Sequence, residues 1–196
     1  MKGRKSGRTA LLEKEKLFDM PSERTFVITR IINAPRALVF NAWTDPKRMS
    51  KWYGPKDFEV SVRQMDVRQG GSFRIVMRSP DGDDFPRRGD YRELVEPEEL
   101  VFTENWEEYP DKWKELLGKY GADPYSKEAL STVIFEEHEG KTFLTIRILF
   151  DTAATHNAMI RMGINEAWSQ SLDRLDEYLE KSEQVRPKIK PPGLFS

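Results

Sequence analysis

"ATHNAMIRMGINEAWSQSLDRLDEYLEK", residues 154–181, is the longest segment of this chain whose apolar residues recur at helical period. Met159, Met162, Trp168, Leu172, Leu175 and Leu179 form its stripe, and the spacing predicts one helix from about Thr155 to Glu180. Strand patterns dominate the sequence before it. "RTFVITRII" alternates Phe26, Ile28, Arg30 and Ile32 against Val27, Thr29 and Ile31. "FEVSVRQMDV" changes apolar phase between Val62 and Met65, which predicts a bulge that bends the strand. "SFRIVMR" follows the turn at "QGG", and "RRGDYRELVEP" and "ELVFTENW" flank a turn at Glu96-Pro97-Glu98. "STVIFEEHEGKTFLTIRILF" forms a hairpin about Glu139-Gly140. Strands joined by hairpins make an antiparallel sheet, one face of which must be covered. The long helix is the element available to cover it. The expected class is therefore α+β: a curved antiparallel sheet of six or seven strands wrapped around a long C-terminal helix, with a wedge of space between the two.

Two small helices close one end of that wedge. In "NAPRALVFNAW", Leu38, Val39 and Trp43 mark a helical stripe after Pro35. In "WTDPKRMSKWYGP", Asp45 is an N-cap, Pro46 takes the first helical position, and Gly54-Pro55 stops the helix. Its Met49, Trp52 and Tyr53 make a very short helix heavily apolar, so it must lie on something larger. Those aromatics either pack the core or wall a cavity.

The 196 residues fit one domain with extensions: a basic N-terminal extension over 1–22, a domain over 23–182, and a Pro-rich tail over 183–196. Within the domain, Glu107 to Leu130 is an insertion between two strands that a short turn could have joined. Its Pro110-Asp111 start, Trp113, Leu116, Leu117 and Tyr120 spacing, and Gly121 stop describe a small amphipathic helix. Trp113, Leu116 and Tyr120 are its expected contact residues, facing either the cavity mouth as a lid or a second subunit in a homodimer. The basic start (Lys2, Arg4, Lys5, Arg8) reads as a solvated tail, and a net charge of -1 gives no pull toward nucleic acid. No apolar run reaches the roughly 20 residues of a membrane helix. The N-terminal residues lack the apolar core of a secretory signal. With no Cys, disulfides and thiolate chemistry are excluded, and a cytoplasmic location is expected.

Four stretches together resemble one known family: "APRALVFNAWTDPKRMSKWYGP", "MDVRQGGSFRIVMRSPDG", "GDYRELVEPEELVFTE" and "MGINEAWSQSLDRLDEYL". They are similar to the activator of heat-shock protein 90 ATPase homologue family, within the START-like (SRPBCC) superfamily. The resemblance runs from about Arg24 to Lys181. It implies the helix-grip fold, a deep cavity between sheet and C-terminal helix, and, by the family's name, a chaperone partner and a role in stress response. It carries over no catalytic residue.

The residues themselves point to binding more than to catalysis. His138 and His156 are the only histidines and neither has a carboxylate at ligand spacing, so no metal and no cofactor is expected. No Ser sits in a nucleophile elbow, and Gly70-Gly71 lacks the context of a phosphate loop. Glu104, Glu136, Glu166 and Asp90 are candidates for an inward carboxylate. The expected cavity lining is Trp52, Tyr53, Phe73, Met77, Phe102, Trp106, Met159, Met162 and Trp168, an aromatic and Met-rich set suited to a small apolar molecule. Arg147, between Ile146 and Ile148, joins that set as an anchor for a ligand carboxylate if it faces inward. Three functions are expected in order: a binding protein for a small hydrophobic or amphipathic ligand; a protein-interaction module of the chaperone-activator kind, which the family resemblance implies; and an enzyme of the cyclase or hydrolase kind that the superfamily resemblance implies, using a cavity carboxylate.

Overall fold

The computed structural model describes residues 23–106, 108–123, 126 and 128–184. The expected N-terminal extension over 1–22 and the tail beyond Gln184 lie outside the described residues. The elements in chain order are β1 (Thr25–Ile32), α1 (Arg36–Thr44), α2 (Pro46–Trp52), β2 (Glu59–Met65), β3 (Ser72–Arg78), β4 (Asp84–Val95), β5 (Glu99–Asn105), α3 (Asp111–Lys119), β6 (Glu128–His138), β7 (Lys141–Phe150), α4 (Ala153–Arg161) and α5 (Ile164–Gln184). The seven strands form one antiparallel sheet in the order β1-β7-β6-β5-β4-β3-β2. This is the α+β helix-grip arrangement.

Two bulges bend the sheet. The β2–β3 register shifts between Val62 and Gln64, where the apolar phase of the sequence changes, and the β4–β5 register shifts between Tyr91 and Glu93. Gly89 adds a close approach: a Cβ there would lie 1.9 Å from the Thr103 carbonyl oxygen and 2.5 Å from the ring of Phe73, its partner across β3–β4. The Phe73 ring thus occupies the space a side chain at 89 would need.

The concave face carries the core. Trp168, Leu172, Leu175 and Leu179 of α5 are buried in one cluster with Val133 and Phe135 of β6 and Leu144 and Ile146 of β7. Helix α1 reaches the same layer through Phe40 and Trp43, whose rings lie 5.4 and 6.0 Å from Phe135. Asp45 caps α2 by accepting from the backbone N–H groups of Lys47 (2.8 Å) and Arg48 (3.0 Å). The short helix is fixed by Trp52, which is fully buried and donates from Nε1 to the Ala42 carbonyl at 3.0 Å.

The C-terminal stripe is divided between two helices. Thr152 caps α4, accepting from the Thr155 N–H at 3.0 Å. The chain turns at Gly163, whose φ of +88° is open to glycine and strained for other residues. The single helix expected from Thr155 therefore becomes an α4–α5 elbow.

Candidate functional site

A cavity of about 250 Å³ opens between the sheet and this elbow. The sheet contributes Met77 of β3, Phe85 and Arg87 of β4, Glu104 of β5, and Ile148 and Phe150 of β7. Met159, Met162, Ile164, Ala167, Trp168 and Ser171 face them from the elbow and α5. The loop after α2 supplies Tyr53, Gly54, Pro55 and Phe58 as a third wall. That loop is held from α5: Arg174 donates to the carbonyls of Gly54 (2.9 Å) and Pro55 (2.8 Å), and the Lys56 N–H donates to Gln170 at 3.0 Å.

Residues leading into and along α3 supply the fourth wall. Trp106 follows β5 and donates from Nε1 to the Ser126 carbonyl at 2.8 Å, which pins the base of the segment. Tyr109 and Trp113 lie edge-to-face at 5.1 Å, and both meet Phe85, at 5.4 and 6.2 Å. Glu108 pairs with Arg74 (2.6 Å) and Arg88 (3.2 Å), while Lys112 pairs with Asp83, so α3 is tied across the β3–β4 hairpin.

The wall is largely apolar, and its charged residues meet at one pole. The Arg87 guanidinium donates to the Tyr53 hydroxyl and to the Glu104 carboxylate, and its carbon lies 5.6 Å from the Tyr53 ring centroid. The Glu104 side chain is 2% exposed and that of Arg87 15%. Burial pushes the Tyr53 and Tyr109 hydroxyls above the usual phenol range, against the opposing pull of the Arg87 charge. Both are therefore neutral hydrogen-bonding groups at physiological pH.

Of the residues expected to line the cavity, Tyr53, Met77, Trp106, Met159, Met162 and Trp168 stand in its wall. Trp52 lies behind Tyr53 in the core, its ring 5.6 Å away. Phe73 and Phe102 pack together at 5.6 Å around a separate void of about 20 Å³, room for a single water. Arg147 is on the other face of the sheet, paired in register with Val27 and Thr132, while its neighbours Ile146 and Ile148 are buried on the concave side. It anchors nothing in the cavity. In the insertion, Trp113 reaches the cavity, Tyr120 joins a small cluster with Leu117, Ala122 and Ala158, and Leu116 is exposed. Leu117 takes the buried position because it lies four residues after Trp113, on the same helix face.

Among the four candidate carboxylates only Glu104 points inward; Asp90, Glu136 and Glu166 are exposed. Arg87 and Tyr109 went unread in the sequence. The signal for Arg87 was its parity: Phe85, Arg87, Gly89 and Tyr91 share one face of β4, a charge on an otherwise apolar row. Among the described residues no cluster of His, Asp and Glu could hold a metal, and no helix is long and apolar enough to cross a membrane.

Fold and site together define a helix-grip protein with an internal, largely apolar cavity. Residues 33–180 match the family described as "Activator of Hsp90 ATPase homolog 1-like protein", and the chain belongs to that family. Solved structures share the fold at low identity. A protein from Nitrosomonas europaea is 22% identical with a TM-score of 0.70, covering 85% of this chain and 100% of its own. A protein from Mycobacterium smegmatis is 22% identical with a TM-score of 0.68, covering 82% and 93%. A protein from Arthrobacter aurescens, solved in solution, is 22% identical with a TM-score of 0.69, covering 81% and 87%. No curated protein matches the sequence.

Proposed function

We propose that the protein binds a small hydrophobic or amphipathic molecule in the cavity between the sheet and the α4–α5 elbow, with Trp113 of α3 covering its mouth, and that it works in the cytoplasm. The observation that supports this is the cavity's lining: three Trp, two Tyr and three Met around about 250 Å³, with Arg87 and Glu104, paired to each other, as its charged residues. An apolar pocket with a few convergent polar groups is the usual build of a small-molecule site. Catalysis by a cavity carboxylate ranks below binding, because Glu104 is already engaged by Arg87. Native mass spectrometry of the purified chain tests the proposal. A retained small apolar molecule, or saturable uptake of a neutral naphthalene, supports it; failure of both refutes it.

A second function, protein interaction of the chaperone-activator kind, draws on the family's description and on the outer face of the sheet. There Val27 and Ile31 of β1 and Phe143 of β7 are exposed, a patch the sequence did not reveal. Stimulation of a heat-shock protein 90 ATPase by the purified chain, lost on Val27→Lys and Ile31→Lys, would favour it.

A further inference from the structure

We infer that the ligand is uncharged: an apolar body about the size of a bicyclic aromatic, carrying a single carbonyl or hydroxyl that engages the Arg87–Glu104 pole. This inference rests on the cavity-binding function proposed above and names the chemical class of its ligand.

Among the described residues lining the cavity, Arg87 and Glu104 are the ionisable acid and base, and they face each other. Their charges sum to zero inside a wall where almost no solvent reaches them. A carboxylate ligand drawn to Arg87 would have to share the guanidinium with Glu104. At an effective dielectric of about 20, an anion's attraction to Arg87 at about 4 Å and its repulsion from Glu104 at about 5 Å nearly cancel, so the pair gives a charged ligand little. The loss of the anion's hydration is then left without compensation. A cation meets the same obstacle at Arg87. A fatty acid or an aryl carboxylate is therefore disfavoured, although an arginine in an apolar cavity would by itself look like an anion site.

A neutral acceptor faces no such conflict. The guanidinium has five N–H donors, of which it gives one to Tyr53 and one to Glu104. A ligand carbonyl or hydroxyl at the pole takes a charge-assisted hydrogen bond without displacing either partner. Ser171, also on the wall, donates to the Ala167 carbonyl at 2.8 Å and so turns its proton away from the cavity. At about 250 Å³ the cavity has room for a bicyclic aromatic body.

Three naphthalenes of matched shape test this, read by quenching of Trp106, Trp113 and Trp168 fluorescence in the full chain at neutral pH. The expected order is 2-acetylnaphthalene at least tenfold tighter than either naphthalene or 2-naphthoate. Glu104→Gln frees Arg87 and should improve 2-naphthoate tenfold or more relative to the ketone. Should that variant not fold, Arg87→Met with Glu104→Leu removes both charges together, and should abolish the ketone's advantage over naphthalene. Naphthoate binding as tightly as the ketone, or a ketone preference that survives in the double variant, overturns the inference. Binding of all three without discrimination overturns it alone and leaves the cavity function standing. If none of the three binds, the cavity function itself fails and this inference falls with it.

Discussion

Ala167→Leu should close the cavity to its ligand while leaving the fold intact. Ala167 stands on the first turn of α5, half-buried, with its side chain on the cavity wall. Leucine is nearly as good a helix former as alanine, so the backbone has no reason to move. Gly163, the neighbouring wall residue, would be the wrong choice, because any side chain at its φ of +88° strains the elbow. The substitution adds three carbon atoms. A ligand that filled the cavity would lose contacts worth about 0.8 kcal/mol per displaced methylene, or about 2.4 kcal/mol in all. That corresponds to a dissociation constant about fifty times weaker. Thermal stability should hold or rise, since the new methyl groups occupy apolar space. The assay is a fluorescence titration with 2-acetylnaphthalene beside a thermal melt, with Ile160→Ala as a control on an exposed side chain. An unchanged dissociation constant with a raised melting temperature would show that the ligand binds elsewhere. An unchanged constant with an unchanged melt would show that residue 167 does not face the cavity at all.

Leu172→Ala, at a position 1% exposed in the centre of α5, should cost about 2–5 kcal/mol and lower the melting temperature by roughly 4–20 °C; a wild-type melt would mean that α5 does not hold the sheet. Trp113→Ala should raise the ligand's dissociation rate at least tenfold, measured by stopped-flow displacement; an unchanged rate would leave α3 as packing only. Alkaline stability follows from three buried phenols. Burial raises Tyr53, Tyr91 and Tyr109 above their unfolded value of 10.0, so their contribution is intact below about pH 10 and is lost as pH climbs toward the folded values. Their tyrosinate absorbance should therefore appear together with the loss of ellipticity, and a stepwise titration of all tyrosines in the folded protein would contradict it.

The order of elements was legible because strands such as β1 and β3 alternate with a period of two and the turns between strands carry Gly, Asp or Pro chemistry. The bulge in β2 could be read as well, from the phase change between Val62 and Met65. The elbow at Gly163 had a signal of its own. From Met162 to Trp168 is six residues, about 240° on a continuous helix, so the two halves of the stripe could not share one face without a break. Arg147 was ambiguous for a different reason. Both parities of β7 are apolar, with Phe143 and Leu149 on one face and Leu144, Ile146 and Ile148 on the other. Only pairing with β1, which sets Arg147 beside Val27, assigns it to the outer face.

The polar pole shows most clearly what a sequence hides. Arg87 and Glu104 lie 17 residues apart on neighbouring strands. Counting back from the Glu96–Glu98 turn, Val95 pairs with Glu99, Leu94 with Leu100 and Glu93 with Val101. Carried on unbroken, that register would set Asp90 opposite Glu104, two carboxylates on one face, and would turn Arg87 away from both. The bulge between Tyr91 and Glu93 shifts the pairing by one, so that Tyr91 meets Phe102 and Arg88 meets Asn105. The inner row of β4 changes from even to odd residues, and Arg87 joins Glu104 inside. One extra residue in one strand thus exchanges a repelling pair of acids for a neutral ion pair. The charge character of the whole cavity depends on that residue.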